Sequence, residues 1–164
     1  MVDKTDLMQY EYLSTEPIDI AALFAAAHHP QAGAVVLFSG ETRNSAAGKD
    51  VVYLDFEACE PVAEKMMDSI LAEATARWNL HLAIAQHRTG KVSVMECAVV
   101  VITVAKHRKE AYAANRYIID RIKHELPIWK YEVWSDGTGA WGGNCNCHSE
   151  TKDPAKHIYE FDSL

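Results

Sequence analysis

Two lysines in the segment KHELPIWKYE, Lys123 and Lys130, sit among apolar residues where a helix gives way to a strand. A lysine that is partly desolvated, or crowded by other cations, loses its proton more easily. It can then serve as a nucleophile or general acid/base near neutral pH. Two other basic features could supply the crowding. Arg43 stands in the polar segment GETRN, and Lys106, His107, Arg108 and Lys109 cluster between an apolar strand and a helix start. Helix starts attract anions through free N–H groups and the positive dipole end. Arginine adds bidentate contacts to phosphate or carboxylate. Each feature also has a plain structural reading. The cluster is then a solvated turn, and Lys123 a helix-end lysine that snorkels to water and complements the dipole.

The segment WGGNCNCHSE holds Cys145, Cys147 and His148, with His157 further on. These are zinc-ligand types, but their spacing departs from the C-x₂₋₄-C pairs of common structural sites. The reading is therefore free thiols in a tail, with no metal assigned. Four cysteines, unevenly placed, make no disulfide framework. The other histidines, among them His28, His29, His81, His87 and His124, are scattered and read as structural or exposed.

The net charge of −7 argues against a general nucleic-acid binder but leaves room for a local basic pocket. No apolar run reaches the ~18 residues of a membrane span. The opening MVDKTDLMQYEYL has no apolar leader core, so the expected location is the cytoplasm. With 164 residues, 49% hydrophobic and 24% charged, the chain reads as one globular domain spanning 1–164. Residues 1–16 and the tail from 136 to 164 are expected to be irregular, apart from a short strand at QYEYL.

The elements that must position the lysines follow from periodicity. Residues 16–30 read as a helix between Pro17 and Pro30. Residues 33–40 read as a strand, and 41–50 as a loop. Residues 51–58 alternate, placing Val52, Leu54 and Phe56 on the inner face. Residues 60–78 form the clearest helix, with Ala63, Met66, Met67, Ile70, Leu71 and Ala74 on one stripe. A short strand at 80–87, a turn and short strand at 88–95, and a nearly all-apolar central strand at 96–105 follow. A third helix runs from Lys109 to Leu126 and stops at Pro127. The last strand is 128–135. Strands arrive in pairs between helices, which favours α+β with a mixed or antiparallel sheet.

Assembled, these residues resemble the MoaE family, the large catalytic subunits of molybdopterin synthase. The resemblance spans about Gly33 to Glu132 and rests on GAVVLFSGETRN, ARWNL, HRTG, VAKHRKEAYAANRYIIDRIK and PIWKYE. It implies an α/β-hammerhead-type element within the fold. It implies conversion of cyclic pyranopterin monophosphate (precursor Z) to molybdopterin, in molybdenum cofactor biosynthesis. Two sulfurs would come from the C-terminal Gly-Gly thiocarboxylate of a small ubiquitin-like MoaD-type subunit, with no resident cofactor. The implied assembly is a heterotetramer around a central homodimer. The resemblance makes Lys123 and Lys130 the catalytic pair. Glu41, Thr42, Arg43, His107, Arg108, Tyr131 and Glu132 become substrate-binding residues. Departures occur at Glu41, where some relatives have lysine, and at Tyr131, where arginine is familiar. Beside this stands a second reading, a docking module for a ubiquitin-like Gly-Gly tail that does no chemistry. A phosphate-binding enzyme of another reaction class is a third.

Overall fold

The computed structural model describes residues 10–142. In chain order they form β1 (Leu13–Ser14), α1 (Ile20–Ala26), β2 (Ala34–Glu41), β3 (Ser45–Ala46), β4 (Lys49–Ala58) and α2 (Glu60–Trp78). Then come β5 (Leu82–Arg88), β6 (Gly90–Ser93), β7 (Cys97–Ala105), α3 (Arg108–Glu125), β8 (Ile128–Trp134) and β9 (Gly139–Trp141). The class is α+β, with two sheets and the long helices packed on the first of them. No helix among these residues is long and apolar enough to cross a membrane.

The first sheet has the order β1-β5-β7-β2, with β7 antiparallel to both neighbours. Its apolar run needs cover on both faces, and it has it. Val99 and Val101 pack with Met67 and Ile70 of α2 and with Ile118 and Ile122 of α3. Val100, Ile102 and Val104, pointing the other way, pack with Leu23 and Ala27 beside α1. Asn115 pins α3 to this sheet. Its amide donates to the carbonyls of Val36 at 3.1 Å and Val101 at 3.0 Å. Leu126 turns to extended backbone ahead of Pro127, which ends the helix one turn after Ile122. Lys123 is thereby fixed at the sheet's edge.

The second sheet runs β3-β4-β8-β9, with β6 also paired to β4. Four details depart from the sequence reading. The first helix is a short Ile20–Ala26, because Asp19 caps it by accepting from the Ala22 N–H at 2.9 Å. Residues 41–50 are not all loop: β3 folds back on β4 through Ala47 and Gly48, both at positive φ. A register shift between Val51 and Tyr53 slips the alternation of β4. Val51 is then the buried residue and Val52 is exposed, while Leu54 and Phe56 keep the inner face. Finally, residues 139–141 pair with β8 as β9 instead of opening an irregular tail.

Candidate active site

The two sheets and the end of α3 enclose a cavity of about 550 Å³. Strand alternation decides what β8 contributes. Ile128, Lys130 and Glu132 line the cavity, whereas Tyr131 points to the opposite face and meets Trp141 edge-on at 5.3 Å. The inner residues of β4 lie directly across the ladder, Phe56 opposite Lys130 and Leu54 opposite Glu132. Phe38 and Glu41 enter from β2, Arg43 from the segment after it, and Ile122 and Lys123 from the last turn of α3.

Lys123, Lys130 and Arg43 thus share one cavity, as the sequence suggested. Lys123 is an exposed residue that lines the cavity from the last turn of α3; its Nζ lies 5.9 Å from the Phe38 ring centre. Partial desolvation of the amine, then the charge of Lys130, push its pKa below the ordinary lysine value; Asp120 pulls the other way, and Arg43 adds a smaller push. Lys130 is not free: its Nζ is 2.9 Å from Oε1 of Glu132, a carboxylate only 9% exposed. The backbone of Gly142 closes over this pair. Its N–H donates to the Lys130 carbonyl at 2.9 Å, and a Cβ there would lie 2.5 Å from Lys130 Cε. A larger residue there would push the Lys130 and Glu132 side chains aside.

Arg43 is held through its neighbour. Thr42 is buried, its N–H donating to the Glu96 carbonyl at 3.1 Å and its carbonyl accepting from the Met95 N–H at 2.9 Å. Arg88 braces that turn from below through Glu96 Oε2 at 2.9 Å. Thr42 therefore positions the pocket arginine and does not itself line the cavity.

His107 and Arg108 lie elsewhere. They stand exposed at the first turn of α3. Arg108 is fifteen positions from Lys123, about 22 Å along the helix at 1.5 Å per residue. Within one chain, therefore, neither they nor Tyr131 join the lysine pocket. The tail residues Cys145, Cys147, His148 and His157 fall outside the described residues, among which no metal-ligand cluster occurs.

One cavity residue escaped the sequence reading. His87 lines the cavity floor, 7% exposed, its ring meeting Phe56 edge-on at 5.0 Å. Burial, and next the charge of Lys123, lower its pKa to about 4, although a hydrogen bond to the Arg88 carbonyl resists this. The unfolded chain therefore binds a proton below about pH 6.5 that the folded chain refuses until about pH 4. Stability falls with falling pH through that window. His87→Gln should flatten this part of the slope in thermal melts taken from pH 7 to 4.5. An unchanged slope would mean that the folded chain takes up this proton in the same pH range as the unfolded chain.

An α+β domain with a cationic cavity and a lysine of lowered pKa fits an enzyme acting on small anionic substrates. Comparison with known proteins makes the class specific. The family described as MoaE protein matches residues 13–125. A molybdopterin synthase catalytic subunit from a Nostoc species is 40% identical over 126 residues, covering 76% of each chain. That of Staphylococcus carnosus is 39% identical over 138 residues, covering 84% of this chain and 91% of its own. The crystal structure of molybdopterin synthase from Staphylococcus aureus superposes with a TM-score of 0.76 at 36% identity, covering 80% of this chain and 96% of its own. A complex of subunits 1 and 2 of molybdopterin-converting factor from Helicobacter pylori shares the fold, with a TM-score of 0.67 at 21% identity, covering 79% and 88%. The chain belongs to the MoaE family, the catalytic subunits of molybdopterin synthase, enzymes that transfer sulfur in molybdenum cofactor biosynthesis.

Proposed function

We propose that the cavity around Lys123 binds cyclic pyranopterin monophosphate and is where two sulfurs enter it to give molybdopterin. The sulfur donor is the C-terminal thiocarboxylate of a small ubiquitin-like subunit, and no resident cofactor takes part. The observation that carries this reading is the convergence of Lys123, Lys130 and Arg43 on one cavity of about 550 Å³. That volume suits a small heterocycle. Both reactants are anionic, and fixed cations in a water-poor cleft stabilise developing negative charge better than bulk water does. Lys123, with its lowered pKa, is placed to move a proton or attack a carbonyl. Arg43 offers a fork for the phosphate. Lys130, oriented by Glu132, stabilises charge beside it.

His107 and Arg108 can serve such a cavity only from a second copy of the chain, which fits a central homodimer carrying one small subunit on each side. The cytoplasm, where reduced thiols persist, suits a thiocarboxylate donor.

Reconstitution tests this reading. The chain, the thiocarboxylated small subunit and cyclic pyranopterin monophosphate together should yield molybdopterin, and the same subunit ending in an ordinary carboxylate should yield none. A small subunit that binds tightly while no product forms would leave only a docking module.

A further inference from the structure

We propose that His87 is a substrate-contacting residue whose Nε2 accepts a hydrogen bond from an N–H or O–H group of the heterocycle held in the lysine cavity. This rests on the reading of the cavity as the site of cyclic pyranopterin monophosphate.

The placement comes first. His87 and Ala85 share one face of β5, the face covered by α2 and α3, and His87 pairs across the ladder with Val99. Its backbone N–H is tied to the Tyr12 carbonyl at 2.8 Å, so the residue is anchored at the cavity floor.

The tautomer follows from its one side-chain partner. Nδ1 lies 2.7 Å from the carbonyl oxygen of Arg88. A carbonyl only accepts, so Nδ1 carries the hydrogen and Nε2 presents a lone pair. Among the described residues no donor reaches Nε2. Nε2 is not among the buried polar atoms left without a partner, so it stays open to the cavity, where an occupant that donates would take the place of solvent.

The rest of the cavity explains why such an acceptor matters. Lys123, Lys130 and Arg43 are donors only. Glu132 is engaged by Lys130, Glu41 and Ser45 are exposed, and the Ser39 hydroxyl donates to Glu41 at 3.4 Å. Cations recognise the phosphate and the thiocarboxylate, but they cannot read the donor groups on a heterocycle. His87 can, and burial together with Lys123 keeps it uncharged, so it adds no further positive charge to the floor.

A histidine that only props the Arg88 carbonyl would fill the same volume. Two substitutions separate the roles. His87→Phe keeps a ring and removes both nitrogens, whereas His87→Gln restores an acceptor near the Nε2 position. Calorimetric titration of cyclic pyranopterin monophosphate into the full chain should show binding about tenfold or more weaker for His87→Phe. His87→Gln should recover most of that loss, with small-subunit affinity unchanged in both. Nitrogen NMR of the wild type supplies a readout independent of folding in the variants. The Nε2 resonance should start as an unprotonated nitrogen and move when the pterin is added, while Nδ1 stays. Wild-type affinity in His87→Phe, or an Nε2 signal that does not respond to bound pterin, would overturn the role of His87 alone. A wild-type chain that binds no pterin phosphate would sink the substrate reading, and this inference with it.

Discussion

Lys123→Ala should lower molybdopterin formation by about 10³-fold while the chain stays folded and binds the small subunit as before. The size follows from what the side chain does. A positioned proton-transfer group contributes roughly 10²–10⁴-fold, and water is a poor substitute for a positioned amine nucleophile. The fold should survive because Lys123 opens to the cavity and lies at the edge of the apolar stripe of α3. Ile118, Ile119 and Ile122 carry the packing of that helix end. Lys123 is exposed, so its loss should leave the thermal midpoint essentially unchanged. Single-turnover assays with a thiocarboxylated small subunit measure the rate, and calorimetry measures the partner affinity. Turnover within threefold of wild type would remove Lys123 from the chemistry.

Lys130→Met should have the next largest effect, roughly 10²-fold on turnover, and it should also move the pH dependence. The sign can be worked out. Lys123 is held below the ordinary lysine value by partial desolvation first and by the Lys130 charge second. Methionine keeps the stem and removes the charge, so the pKa of Lys123 rises. Any limb of the rate that needs the neutral Lys123 amine then shifts to higher pH, and the deficit at pH 7 shrinks as pH is raised. The substitution also strips Glu132 of its cation, leaving a buried carboxylate unpaired. Lys130→Met combined with Glu132→Gln removes that burden and should keep the pH shift while recovering stability. A pH–rate profile that does not move would mean that the two lysines do not sense one another.

Elements with strong local signals were legible in the sequence. β7 reads as central because nearly every side chain in it is apolar, and α2 and α3 read as helices from their three- and four-residue stripes. Pro127 marked the end of α3 to within a residue. Three of the four departures share one cause, which is pairing between segments that local pattern does not encode; the short α1 is set by its Asp19 cap. β3 and β9 are two and three residues long and exist because β4 and β8 offer them an edge. The slip at Val51 depends on the register with β8, so alternation alone put Val52 on the wrong face.

The site divides in the same way. Lys123 and Lys130 were legible because the helix–proline–strand junction brings them together. Arg43 joins them because β2 runs antiparallel to β7 and ends beside the last turn of α3. The cluster at His107 and Arg108 looked like part of the same cleft, but helix length places it at the far end of α3. His87 gave no signal, since a histidine ending an apolar strand looks like any other. Its place in the cavity arises only when the ends of two sheets meet.

The central claim is that this cavity makes Lys123 the reactive amine. The most direct measurement is the pH dependence of acylation of Lys123 by trace acetic anhydride, read by mass spectrometry of the peptide that contains it. Lys123 should titrate below the other exposed lysines of the same protein, and its midpoint should move upward in Lys130→Met. A Lys123 that titrates together with the other lysines, unmoved by Lys130→Met, would be an ordinary surface amine with no place in the chemistry.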